Sequence, residues 1–320
     1  MRVALIDWYR AHRRDLPWRR TADPYAIWIS EIMLQQTRVA AVIPYYEKFL
    51  AAFPDAAALA AAPEEQVLAQ WAGLGYYSRA HNLQKACKIL ATLPAFPCDY
   101  STMRALPGIG DYTAAAISSI AFGLPHAAVD GNVRRVVVRL TNNDDADAQS
   151  HADRLLDRED PGRWNQAMME LGATVCTPRD PQCGACPLAQ FCGARRYGTA
   201  VLIPSKKIKP APERLQRKLL LIEHRRRLLL VPSVRVPGFW DLPEKFPGAV
   251  RGVRIGEFRH TIQHRHYRFE VHTGVLRSAA APGGERIRWA ARQKLHEIPL
   301  STTAKKALRC LKDRYVDSSS

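Results

Sequence analysis

Acidic residues are scarce in this 320-residue chain. Asp and Glu number 30 against 47 Lys and Arg, which leaves a formal charge of +17 and a pI near 9.9. A cationic surplus of that size favours a polyanionic partner, nucleic acid or an anionic membrane surface, although charge alone excludes few functions. Long apolar runs are missing too. No stretch reaches the roughly 18–20 uninterrupted apolar residues of a membrane span, and segments such as Leu219–Ile222 and Leu228–Val231 are short. Asp7 and Arg10 interrupt the N-terminus before any apolar segment of secretory length. A soluble, cytoplasmic protein in a reducing compartment is expected, with no membrane partner. Its 7 cysteines then do not read as a disulfide framework, and their spacing needs another reason. Low-complexity tracts and long internal repeats are also lacking. The 47% hydrophobic and 24% charged residues suit a globular core, and the length suits two domains.

From Asp7 to about Gly198 apolar residues recur at three- and four-residue intervals, as in Val39, Val42, Ile43, Tyr46, Phe49 and Leu50. Breaks are expected at Pro44, Phe53-Pro54, Ala62-Pro63, Gly73-Leu-Gly75, Pro94, Pro97 and Pro107-Gly108. Residues 1–200 therefore read as an all-helical domain. Pro and Lys gather around Ile203–Glu213 in a linker placed at 201–217. A smaller α+β domain is expected over 218–320, with strands at Lys218–Glu223, Arg227–Val231, Phe258–Thr261 and Tyr267–His272. A last helix should follow Ser301-Thr-Thr-Ala304.

Cys176, Cys183, Cys186 and Cys192 form the pattern C-x6-C-x2-C-x5-C. One compact, asymmetric loop of four thiolates suits the corners of a [4Fe–4S] cube; zinc, which usually takes two similar C-x2-C knuckles, and unliganded core thiols are the alternatives. Cys87, Cys98 and Cys310 lie outside the pattern and read as buried thiols. In Leu106-Pro-Gly108-Ile-Gly110-Asp-Tyr112 the glycines permit a tight turn whose exposed N–H groups could bind phosphate, or simply a helix–turn–helix corner. One helix later comes Val129-Asp130-Gly-Asn132, where Asp130 is either a helix N-cap or a carboxylate facing a sugar carbon.

A hairpin, a following aspartate and a four-cysteine loop in that order resemble the helix-hairpin-helix DNA glycosylases of the endonuclease III superfamily. Within it the chain is most similar to the adenine DNA glycosylase (MutY) branch. Asp15-Leu-Pro-Trp-Arg19, Ser30-Glu31-Ile-Met-Leu34-Gln-Gln36-Thr37-Arg38, Trp71-Ala-Gly-Leu-Gly-Tyr76-Tyr-Ser-Arg79 and Met169-Glu170-Leu-Gly-Ala173 carry the likeness over nearly all of residues 1–200.

The resemblance implies a base-excision enzyme that hydrolyses the N-glycosidic bond of adenine mispaired with 8-oxoguanine or guanine in duplex DNA. Such a reaction needs an acid to protonate the base and an anion near the cationic sugar. Glu31 lies among Ile27, Trp28, Ile32, Met33 and Leu34, an apolar setting that keeps a carboxyl protonated. By resemblance it is the acid, and Asp130 stabilises the sugar. Tyr112 takes the place where bifunctional relatives carry a Schiff-base lysine, which implies a monofunctional enzyme. Arg14, Trp18, Leu34 and Glu170 match pocket positions. Gln36, Thr37 and Tyr76 match residues that fill the hole left by a flipped base, and Gly108 and Gly110 hold the backbone. A [4Fe–4S] cofactor and a monomeric state are expected. Another mismatch glycosylase of the superfamily, acting on thymine or an oxidised pyrimidine, is the alternative enzyme; a non-catalytic, cluster-bearing DNA-binding protein or redox sensor is the alternative of another class.

Over the second domain the likeness is looser. Pro237-Gly-Phe-Trp-Asp-Leu-Pro243 and Phe258-Arg-His-Thr261 resemble the Nudix-like module of the family, without the Glu-rich box of a pyrophosphate hydrolase, so a binding module is implied. At the lesion-reading loop Ile262 and Gln263 replace the family's Phe-Ser and only His264 matches. The charge is lopsided: residues 1–200 carry 21 Lys+Arg against 20 Asp+Glu, and residues 201–320 carry 26 against 10. The electrostatic hold on DNA is therefore expected in the second domain, and deleting it should flatten the salt dependence of binding.

Overall fold

A computed structural model describes residues 1–205, 211–262, 265–277 and 287–316. Gln263, His264 and part of the linker lie outside them. The helices are α1 Arg2–His12, α2 Pro24–Leu34, α3 Val39–Ala52, α4 Ala56–Ala61, α5 Glu64–Trp71 and α6 Ser78–Leu90. They continue with α7 Tyr100–Ala105, α8 Asp111–Phe122, α9 Gly131–Thr141, α10 Ala148–Leu155, α11 Pro161–Thr174 and α12 Gly193–Arg196. No described helix is long and apolar enough to cross a membrane.

The chain forms two compact units, Met1–Ala61 with His81–Ile208, and Ala62–Ala80 with Lys209–Ser320. The first is helical, as its periodicity predicts. Aspartate side chains satisfy the free N–H groups at several helix starts: Asp23 on α2, Asp99 on α7, Asp147 on α10 and Asp160 on α11. The main core joins Leu5, Ile6 and Tyr9 of α1 to Val133, Val136 and Val137 of α9 and Trp164, Met168 and Leu171 of α11. Pro44 does not break the chain as expected but lies inside α3. It forgoes one backbone bond there, while Val42, Tyr46 and Phe49 bury one face and hold the helix through it. Cys87 is buried, but Cys98 is exposed and Cys310 only half-buried, so the expectation of three buried thiols fails for two.

The second unit is a mixed sheet of β1 Glu213–His224, β2 Arg227–Pro232, β3 Trp240–Asp241, β4 Ala249–Ile262, β5 Arg265–Leu276 and β6 Arg288–Ala291, with α13 Thr302–Val316. The strand order is β3-β2-β1-β5-β4, and β6 pairs with β2. The expected strands are present, but β1, β4 and β5 extend well beyond the predicted segments. β1 and β2 form a hairpin whose two turn residues, Arg225 and Arg226, both have positive φ, the turn geometry that favours asparagine and glycine. β1 also runs parallel to β5, a long-range pairing that no local pattern announces. Leu219, Tyr267, Phe269 and Val271 pack with Ala304 and Ala307 of α13 in one core. Segment Ala62–Ala80 joins this unit although the sequence places it in the first domain. Tyr77 sets its ring 4.0 Å from that of Phe239 and its hydroxyl 3.3 Å from Thr302 Oγ1.

Candidate functional site

In the helical unit α2, α8, α9 and α11 border a cavity of about 480 Å³, lined by Glu31, Leu34, Tyr112, Asp130, Met169 and Glu170 among others. Arg14, Trp18, Gln36 and Thr37 line it as well, so nine sequence-predicted residues of the first unit converge there.

Glu31 sits on α2, whose residues Tyr25–Met33 are all buried. It is 6% exposed, and its Oε2 accepts a hydrogen bond from the Tyr112 hydroxyl at 2.5 Å. Burial raises its pKa from the ordinary glutamate value of 4.5 to about 7; the Tyr112 bond and Arg19 pull the other way, and Asp130 adds to the rise. Glu31 can thus hold a proton near neutral pH. Burial, with Glu31 beside it, pushes the Tyr112 phenol well above its usual range, so Tyr112 is a hydrogen-bond donor there.

Asp130 is the helix N-cap that the sequence allowed. It caps α9, accepting from the backbone N–H groups of Asn132 at 2.9 Å and Val133 at 2.7 Å, and it lines the cavity. The Asn132 amide donates to its other oxygen at 2.9 Å. These donors fix a carboxylate against the cavity wall. Gly172 of α11 permits the arrangement, since a Cβ there would lie 2.7 Å from Asn132 Cβ.

Glu170 behaves in the opposite way to Glu31. It is 1% exposed, Arg14 grips it with Nε and Nη2 at 2.8 Å each, and Arg19 Nη2 adds a third bond at 2.8 Å. Burial alone would raise its pKa, but the guanidinium hydrogen bonds win and hold it at about 2. Arg19, Ser30, Asn132 and Met169 line the cavity too, although the sequence, which places them in motifs, assigns them no role of their own. A buried glutamate on α11 demands a cation, and Arg13, Arg14, Arg19 and Arg20 were on offer; which of them meets it is a tertiary fact.

The hairpin lies between α7 and α8. Ile109 is buried and pins it, while Gly108 and Gly110 are exposed. Gly108 has φ +80°, and a Cβ there would come 2.8 Å from Asn82 Cβ; Gly110 is the N-cap of α8 and has open space around it. Tyr112 follows in the first turn of α8, so one helix joins the hairpin to the cavity. Gln36 and Tyr76 are exposed and both adopt positive φ, +58° and +49°, a conformation non-glycine residues seldom hold without a reason. Tyr76 does not line this cavity; it lies in segment Ala62–Ala80, with the Arg79 guanidinium 5.3 Å over its ring.

Cys176, Cys183, Cys186 and Cys192 border one small pocket with Arg139 and Val175. Among the described residues no three potential ligands draw close enough for a single ion, whereas a cube spreads its thiolates around a larger body. Arg139 is buried and donates to Cys176 Sγ at 3.2 Å, Thr177 O at 2.8 Å and Ile203 O at 2.9 Å. Arg135 donates to Cys176 O at 2.8 Å and Gly172 O at 2.7 Å. The helix that begins at Asp130 is therefore tied to the cysteine loop by two arginines. Replacing Arg139 with Gln removes a cation beside thiolate sulfur and leaves buried carbonyls unpaired. A several-fold lower iron content per chain is expected, measured with the visible absorbance of the purified protein.

Comparison with known proteins gives two family matches. Residues 29–159 match the HhH-GPD superfamily base excision DNA repair protein, and residues 176–192 match the iron–sulfur binding domain of endonuclease III. The loop is thus the binding domain of a [4Fe–4S] cluster. An adenine DNA glycosylase from Buchnera aphidicola subsp. Baizongia pistaciae is 35% identical over 77% of this chain and 73% of its own length. The human adenine DNA glycosylase is 45% identical over 66% of this chain, which spans only 42% of that relative. Among solved structures, a thermostable thymine-DNA glycosylase is similar with a TM-score of 0.57 and 28% identity, covering 61% of this chain and 94% of that one. A non-covalent endonuclease III–DNA complex is similar with a TM-score of 0.54 at 25% identity, over 62% of this chain and 96% of that one.

Proposed function

Because this chain belongs to the adenine DNA glycosylase family, we propose that it hydrolyses the N-glycosidic bond of adenine mispaired with 8-oxoguanine or guanine in duplex DNA. The observation that carries the reading is the pair of carboxylates on one cavity, Glu31 buried and proton-holding, Asp130 fixed by amide donors.

The flipped adenine enters the cavity between Leu34, Trp18 and the Arg14–Glu170 pair. Glu31 gives its proton to a ring nitrogen, which turns the base into a neutral leaving group. The Tyr112 hydroxyl holds the Glu31 carboxylate that results. Asp130 faces the sugar and stabilises its positive charge while water adds; Glu31 takes up the water's proton. Tyr112 has no amine, so no imine forms with the sugar and the enzyme leaves an intact abasic strand. Gln36, Thr37 and Tyr76 support the duplex around the extruded base, and Gly108 and Gly110 bind its backbone. Cys176, Cys183, Cys186 and Cys192 would hold the cluster, whose iron–thiolate bonds secure the loop against α9. The enzyme acts as a monomer.

Single-turnover base release from duplexes with adenine opposite 8-oxoguanine, guanine, cytosine or thymine tests the proposal. Release against the first two is expected, and equal rates against all four would sink the mismatch reading. Release of thymine from a guanine·thymine pair instead would favour the thymine alternative that the fold similarity keeps open.

A further inference from the structure

The chemistry above uses one cavity in the helical unit and leaves unexplained a groove of about 540 Å³ in the sheet unit. Three adjacent strands line it: Arg214 from β1, Arg259 and His260 from β4, His266 and Arg268 from β5. Their registers are direct. Arg214 pairs with His266 and His266 with Thr261; in the next row Gln216 pairs with Arg268 and Arg268 with Arg259. Side chains directly opposite on neighbouring strands share a face. Two cross-strand rows thus share one face, Arg214, His266 and Thr261 in one and Gln216, Arg268 and Arg259 in the other.

No Asp or Glu lines it. Arg268 alone among these has a carboxylate, Glu257, which accepts from its Nη2 at 2.6 Å. Arg214, Arg259 and His266 are exposed and have no ion pair with any described residue. Like charges facing one another across strands are destabilising. Here several crowd one concave surface, an arrangement that an anion would relieve. Tyr267 is 9% exposed and packed into the core on α13, so no Phe, Tyr or Trp ring is presented for base stacking and His266 is the exposed imidazole of the lining. A surface of arginines without an exposed Phe, Tyr or Trp suits the phosphates of a duplex better than the bases of a single strand.

We propose that this groove binds the backbone phosphates of the duplex, and that Arg214 and Arg259 each hold one. The inference rests on the DNA-repair reading above and gives the cationic excess of residues 201–320 a definite location. Deleting that region is a poor probe of it, because the unit also contains Ala62–Ala80, and the cut would strip Tyr77 of its Phe239 contact. Point substitutions in the full chain avoid this.

The test is the affinity of the full-length protein for an undamaged duplex, by fluorescence anisotropy across a salt series. For Arg214→Gln/Arg259→Gln the slope of log affinity against log salt should fall in magnitude by about two, since each lost phosphate contact removes roughly 0.9. Affinity at ~0.1 M salt should drop roughly 10- to 100-fold. The charge-keeping Arg214→Lys/Arg259→Lys variant should retain the wild-type slope. A wild-type slope in the Gln variant overturns this inference while leaving the enzyme reading intact. Failure of the wild-type protein to release adenine overturns that reading instead. If the Gln variant loses affinity only for a free deoxynucleoside triphosphate and not for duplex, the groove is a small-anion site and the duplex assignment is wrong.

Discussion

Glu31→Gln should abolish adenine release, with a loss of at least roughly 10³-fold in the single-turnover rate. Gln keeps the size of the side chain and an oxygen for the Tyr112 hydroxyl, but it has no proton to give. The same variant should be more stable than wild type at pH 8. The folded-state pKa of Glu31 is about 7, above its ordinary 4.5, because burial disfavours the charge. A carboxyl raised on folding binds its proton more tightly in the native state, so its penalty is absent below about pH 4.5, grows between 4.5 and 7, and is complete above 7. Gln removes that penalty, a gain on the order of 3 kcal/mol at pH 8 that should vanish near pH 4. Thermal melts at the two pH values measure it. Lost activity with a gain in stability is the signature of a strained catalytic group. Lost activity with lost stability would make Glu31 a structural residue.

Glu170 should show the reverse. Its carboxylate is buried against Arg19, 10% exposed, and the more open Arg14, 39% exposed, and Glu170→Ala leaves the buried Arg19 side chain without its anion. Breaking such a pair from one side costs about 3–5 kcal/mol. Near-complete loss of adenine release is expected with it, because the pocket wall collapses. The held-down pKa of about 2 means that this stabilisation is fully present above about pH 4.5 and is lost as pH falls toward 2. Wild type and variant should therefore converge in stability in acid. Denaturant midpoints at pH 7 and pH 3 measure the difference; equal stabilities at pH 7 would remove the pair from the account. Two glutamates on one cavity, one near 7 and the other near 2, are how a site keeps a proton donor and a fixed anion side by side.

Much of this was legible in the sequence, for identifiable reasons. Glu31 stood out because its neighbours on α2 are apolar apart from Ser30, and a lone carboxyl in such a helix has few explanations. Tyr112 and the role of Asp130 followed from the family resemblance, and the helices from their periodicity and their Pro and Gly breaks. What was not legible depends on contacts between distant segments. Nothing local says that Arg19 meets Glu170, that Gly172 makes room for Asn132, or that Arg139 reaches Cys176. The lengths of β4 and β5 were missed because stretches such as Val250-Arg-Gly-Val-Arg254 alternate weakly and carry charge on a face left exposed. The cationic groove needed the parallel β1–β5 register to bring Arg214 beside His266. Pro44 misled because packing outweighs one missing backbone bond.

The central claim is that Glu31 keeps its proton near neutral pH and delivers it to the base. The pH dependence of single-turnover adenine release from an adenine·8-oxoguanine duplex tests this most directly. The account predicts a fall that begins near pH 7 and reaches tenfold per pH unit above it, as the acid is lost. A rate that stays level or rises between pH 7 and 9 would contradict it.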